Sequence, residues 1–187
     1  MVYGRYKEIR NAAWQTLIDF NVRSLPVSIS DITDQLGIGL IDNIKINLLK
    51  QDERGATIYV KKQWYIILDE SEQVETQRFT AAHELAHILL GHILTAKAKY
   101  RTFTKRTEEE QAADMFAARL LAPACVLHEI SACSADRIRI VCNISTAAAK
   151  IRAERMRELE RRNKYYLHPL EQQVKTQFED FIKANTQ

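Results

Sequence analysis

Glycine and proline are scarce in this chain, with five and three residues among 187. That excludes collagen-like and low-complexity architectures and favours helices joined by tight connections. Cysteine is almost as rare. Cys125, Cys133 and Cys142 are odd in number and lack C-x-x-C spacing, so neither a disulfide framework nor a thiolate metal site is expected. They read as reduced, mostly buried thiols. No apolar run approaches the ~18–20 residues that span a bilayer, and the opening MVYGRYKEIR has no apolar secretory stretch. The expectation is a cytoplasmic protein with no membrane partner. Net charge is only +3, too little to imply nucleic acid by itself. The length suits one domain of ordinary size with a small appendage, long enough to bury a core.

Periodicity supplies the elements. Ile9, Ala13, Trp14, Leu17 and Ile18 recur at helical spacing, which predicts an amphipathic helix over 6–20. Ser30 is a candidate cap for a short helix that Gly37 ends. The period then changes: IGLIDNIKINLL, ATIYVKK and WYIILDE are rich in Ile, Val and Tyr and predict a small antiparallel sheet, the last two strands forming a hairpin at Lys61 to Gln63. Helices follow over about 72–90, with Gly91 at the stop, and about 107–121, stopped by Pro123. The basic AKAKYRTFTKR between them reads as a connection. The carboxyl third predicts a short helix over 135–142, a turn at Asn143, a long helix over 145–163, and a last one striped by Leu170, Val174, Phe178 and Phe181.

RFTAAHELAHILLGH carries two of the five histidines four residues apart. Each helical residue turns about 100°, so His83 and His87 share a face, with Glu84 inside the same arc. Two imidazoles so placed can share one cation, and the adjacent carboxylate can take a proton from an attacking water. Solvent-facing histidines are the alternative. Ala81, Ala82, Leu85, Ala86, Ile88 and Leu89 weaken it, because they make the helix largely buried, where unpaired imidazoles and a carboxylate would cost several kcal/mol. His92 projects roughly opposite His83 and reads as a helix-end residue bonding a backbone carbonyl.

A catalytic zinc wants a third protein ligand. TEEEQAADMFAARLLAP offers three glutamates. Glu108 shares a face with Ala112, Met115 and Arg119 that reads as the most exposed, and Glu109 stands above the apolar Ala113, Phe116 and Leu120. Glu110 lines up with Asp114, Ala117 and Leu121. Like charges at i, i+4 repel, and the pair makes sense if Glu110 binds the metal while Asp114 accepts the ring N–H of a liganding histidine. The alternative is a capping box from Thr107 to Glu110, which leaves Asp114 unexplained.

These two stretches resemble the ImmA/IrrE family of zincin-like metallopeptidases. The likeness rests on Phe79, Thr80, Ala82, His83, Glu84, His87, Gly91 and His92, and on Glu110, Ala113, Asp114, Phe116, Ala117, Leu120, Leu121 and Pro123. Ala86 and Ala122 depart mildly, where the family often has Gly and Met. The resemblance implies an α+β zincin-like core, a small antiparallel sheet packed on the H-E-x-x-H helix, followed by a helical extension. It divides the chain into a peptidase domain over 1–130 and a helix-turn-helix-like subdomain over 131–187. It also implies one catalytic Zn2+ held by His83, His87 and Glu110, with Glu84 as general base. Two imidazoles and a carboxylate favour zinc over manganese or iron. The implied substrate is a helix-turn-helix transcriptional repressor, whose cleavage would switch genes on. Tyr100, Arg101 and His128 are candidate electrophilic helpers, and QWYIILDE is the candidate edge strand for an extended substrate, unless it is a plain core strand.

From Ala135 to Lys164 nine basic residues face four acidic ones. The surplus suggests docking of DNA or of the repressor, or simply a solvated helix held by Glu158–Arg162 and Glu160–Lys164 pairs. The competing function is a metal-binding regulator that sequesters a repressor or binds DNA without cutting anything. Glu84 separates the two, because a pure binder needs no general base.

Overall fold

The computed structural model describes residues 3–92, 98–100 and 107–186, with backbone alone at Tyr3 and at 98–100. The elements are α1 (Tyr3–Asp19), α2 (Ile29–Gln35), β1 (Gly39–Asp42), β2 (Gly55–Val60), β3 (Gln63–Leu68), α3 (Val74–Leu89), β4 (Ala98–Tyr100), α4 (Glu108–Leu121), α5 (Ala124–Glu129), α6 (Ala135–Cys142), α7 (Thr146–Arg161), α8 (Pro169–Gln177) and α9 (Glu179–Asn185). They make an α+β protein, as expected from the sequence. The chain gathers into two compact units, Met1–Ile9 with Ile29–Ala117, and Arg10–Ser28 with Ala118–Gln187. Both α1 and α4 thus contribute to each unit, a different division from the sequential one expected at residue 130.

In the first unit the strands form one sheet in the order β1-β3-β2-β4. The β2–β3 hairpin turns at Lys61 and Lys62, whose φ values of 49° and 67° give the two-residue left-handed loop that suits strand twist. β3 is one of two interior strands, and Ile66 and Ile67, on its opposite faces, are both fully buried. Two expectations need correction. β1 pairs with β3 in parallel, Gly39 opposite Tyr65, so the sheet is mixed and not antiparallel. A Cβ on Gly39 would lie 2.5 Å from the Tyr65 ring, which is why glycine begins that strand. Part of the basic connection is also a strand, since Ala98–Tyr100 pairs antiparallel with β2. The remainder of that connection, beyond 98–100, lies outside the described residues.

The extended reading of NIKINLL also fails locally. After a single 3-10 turn at Asn43–Lys45, the Asn43 side-chain carbonyl accepts the backbone N–H groups of Leu48 and Leu49 at 2.8 and 2.9 Å. That local bonding offers the backbone an alternative to a ladder. α2 begins at Ile29, so Ser30 lies inside its first turn and is not its cap, while Gly37 leaves it at φ +67°.

α3 packs on β2, β3 and α2. Eight consecutive residues, Thr80 to His87, are buried, so this helix is enclosed over its middle turns. Gly55 permits the close approach: a Cβ there would fall 2.4 Å from Thr80 Cγ2 and 3.2 Å from the Ile67 carbonyl.

In the second unit Ser134 and Ser145 cap α6 and α7, accepting from Arg137 N and Ala148 N, and Asn143 ends α6 in the left-handed region. Of the expected ion pairs, Glu158–Arg162 forms at 3.1 Å, while Glu160 faces Nδ1 of His128 and not Lys164. The basic side chains are partly engaged internally, Arg137 donating to the Asn185 carbonyl and Arg152 to that of Ala122. α5 was not foreseen, and the single last helix is two, broken at Phe178, with Val174, Phe178 and Ile182 buried along them. Cys125 and Cys142 are buried and Cys133 is exposed, all three as free thiols. Among the described residues, no helix is long and apolar enough to cross a membrane.

Candidate metal centre

His83 and His87 lie on consecutive turns of α3, 0% and 2% exposed. Their Nε2 atoms are 3.0 Å apart. Glu110, in the first turn of α4, completes a triangle: Oε2 is 3.1 Å from His83 Nε2 and Oε1 is 3.4 Å from His87 Nε2. These three side chains are the group of potential ligands that the described residues bring together.

The first turn of α4 shows how Glu110 comes to face them. Thr107 accepts the Glu110 backbone N–H at 3.2 Å, half of a capping box. The Glu110 carboxylate turns instead to the histidines. Glu108 points elsewhere, to Arg5 at 2.7 Å. Ala112, on the face expected to be most exposed, is buried. Burial opposes ionisation of Glu110; in the absence of an ion, hydrogen bonds and charge from protonated His83 and His87 rings would outweigh it and hold the carboxyl far below its usual range.

The far sides of both rings are also engaged. His83 Nδ1 lies 2.9 Å from Asp114 Oδ1, one helical turn beyond Glu110. His87 Nδ1 lies 3.0 Å from His92 Nδ1. The Asp114 contact is the one its i, i+4 spacing from Glu110 suggested. An ionised Asp114 can only accept, so His83 Nδ1 carries the proton, and a neutral His83 ring then turns its Nε2 lone pair inward. If His87 Nδ1 donates to His92, three acceptor groups converge at 3.0–3.4 Å with no proton to share. That arrangement calls for a cation. A tetrahedral ion with ligands at about 2.0–2.2 Å holds its donors roughly 3.3–3.6 Å apart, a little wider than the spacing found. The residues fit such an ion.

Glu84 is 1% exposed, and Thr57 on β2, itself fully buried, donates its hydroxyl to Glu84 Oε2 at 2.7 Å. Sequence reasoning missed Thr57; the one hint was a polar residue in the buried first half of GATIYV. Thr57→Val keeps the shape and removes the donor. It should cost about 1–3 kcal/mol of stability, seen as a lower denaturant midpoint, and Thr57→Ser should recover most of the loss.

Two other expectations change. β3, which carries QWYIIL, is bonded on both sides, to β1 and β2, so it has no free edge for a substrate. Among the described residues β1 and β4 are the edges. Of the candidate helpers, the Tyr100 side chain and Arg101 lie outside the described residues. His128 belongs to the second unit, where its ring stacks on Tyr165 at 4.0 Å between centroids.

A search among curated proteins found no match. Residues 41–154 match the peptidase family described as the IrrE N-terminal-like domain, a span that takes in α3, α4 and the whole sheet apart from the first two residues of β1. The match covers more than half of the chain, and the protein therefore belongs to this family of metallopeptidases.

Proposed function

We propose that the protein is a zinc-dependent endopeptidase that cleaves a helix-turn-helix transcriptional repressor in the cytoplasm. The observation that carries the metal reading is the triangle of His83 Nε2, His87 Nε2 and the Glu110 carboxylate, with both Nδ1 atoms engaged from behind. His83, His87 and Glu110 would hold the ion, leaving a fourth position open. The donor set of two imidazoles and one carboxylate supports zinc. When bound, such an ion polarises the scissile carbonyl and makes water nucleophilic near neutral pH.

Glu84 takes one proton from the attacking water as the new C–O bond forms. It then gives that proton to the amine nitrogen as the C–N bond breaks. Thr57 holds the Glu84 carboxylate by one oxygen during both transfers. Asp114 fixes the orientation of His83. A protein that only sequestered a repressor would have no use for a buried carboxylate placed beside two metal-binding imidazoles. The repressor as substrate is supported by the family resemblance, and it fits an endopeptidase that acts on a regulator.

Metal removal tests the reading. The purified protein should contain about one zinc per chain by elemental analysis and should shorten a co-purified repressor of this class. Chelator-stripped protein should leave the repressor intact, and added zinc should restore cleavage. Cleavage by protein shown to be metal-free would overturn the proposal.

A further inference from the structure

The structure assigns His92 a positioning role: it accepts the Nδ1 proton of His87 and so turns the His87 Nε2 lone pair toward Glu110 and His83. This rests on the metal reading above. On a straight helix His92 would stand far from His87, since five residues turn the chain well past one revolution. The helix does not continue. Leu90 is its last cap residue and Gly91 adopts φ +72°. Gly91 N–H then donates to the Ile88 carbonyl at 3.1 Å and His92 N–H to the His87 carbonyl at 3.0 Å. This pair of bonds is the Schellman reversal, which folds the sixth residue back over the first. Glycine at 91 permits the left-handed turn, and the turn delivers the His92 ring to His87, with centroids 5.1 Å apart and planes at 69°.

The contact joins Nδ1 to Nδ1 at 3.0 Å, so one ring donates and the other accepts. Were His92 the donor, the neutral His87 ring would carry its proton on Nε2. That proton would point into the triangle, from a nitrogen 3.0 Å from His83 Nε2 and 3.4 Å from Glu110 Oε1, where the ion must sit. With His92 as acceptor, protonated on its own Nε2, the His87 lone pair is free for the metal. A ring nitrogen of one histidine thus does for His87 what the Asp114 carboxylate does for His83.

Zinc affinity, measured by competition with a chromophoric chelator, tests this in the full-length protein. Asparagine places its side-chain oxygen as many bonds from Cβ as histidine places Nδ1, so His92→Asn keeps an acceptor there and His92→Leu removes it. We expect His92→Leu to weaken zinc binding about 10–100-fold and His92→Asn to stay within about 3-fold of wild type, with unchanged circular dichroism. Nitrogen-15 NMR of the zinc-loaded protein should show His92 as the Nε2–H tautomer and His87 as Nδ1–H. Equal affinity in all three proteins, an equal loss in both variants, or the reverse tautomers would overturn the role. His83→Ala serves as the control: if it binds zinc as tightly as wild type, or if wild type binds none, the metal reading itself has failed and this inference falls with it.

Discussion

Glu84→Gln should abolish cleavage while leaving zinc and fold in place. Gln presents an oxygen where the Thr57 hydroxyl now donates at 2.7 Å, so that bond survives the change. Removing a carboxylate that is 1% exposed also relieves its desolvation, and the variant should melt no lower than wild type. What it loses is the ability to accept a proton from water and return it to the leaving amine. A positioned general acid–base group contributes roughly 100- to 10,000-fold in rate, and the turnover of a repressor substrate should fall by that amount. The measurement is a time course of cleavage beside elemental analysis of the same preparations. A variant that holds its zinc and cuts at the wild-type rate would remove Glu84 from the mechanism. A variant that loses its zinc would place Glu84 in the ligand set instead.

The grouping of His83, His87, Glu110 and Asp114 was legible because all four are written at helical spacing. His83 and His87 at i, i+4 define one face, and Glu110 with Asp114 define another by the same arithmetic. A like-charge pair at i, i+4 on a stripe of small and apolar residues has few explanations, and the structure engages both carboxylates with His83. The parts that were missed depend on tertiary register. Thr57 reaches Glu84 because Gly55 lets β2 close on α3, and nothing in GATIYV says which helix it will meet. His92 was read on a straight helix, although Gly91 already marked the reversal that carries it back. Its adjacency to a left-handed glycine was the available signal. The sheet went astray for a related reason. Richness in Ile, Val and Tyr marks strands within IGLIDNIKINLL, ATIYVKK and WYIILDE, but not that β1 lies parallel to β3 on the side away from β2. With that order β3 is interior, and an edge role for it disappears. The break at Phe178 left no mark either, since Val174, Phe178 and Ile182 keep helical spacing across it.

Glu110→Ala should abolish zinc binding, and the loss should show most clearly in stability. An ion that binds only the folded chain stabilises it by RT ln(1 + [L]/Kd), about 4 kcal/mol when free zinc exceeds Kd by ~1,000-fold. The wild-type melting temperature should therefore rise with added zinc. Without the carboxylate the two imidazoles remain, 3.0 Å apart, with no negative charge to offset the ion. Two donors leave half of a tetrahedral shell to water, so affinity should drop well beyond the about 10–100-fold that loss of an outer partner costs. Asp114→Asn is the companion, since it keeps an oxygen near His83 but loses the charge, and it should fall in that smaller range. The order follows from contact: Glu110 faces both imidazole nitrogens, whereas Asp114 touches one ring from behind. Melting curves with and without zinc for the three proteins read it directly. A zinc-dependent rise in Glu110→Ala equal to that of wild type would mean that the third ligand lies elsewhere, and that the convergence of α4 on α3 serves packing alone.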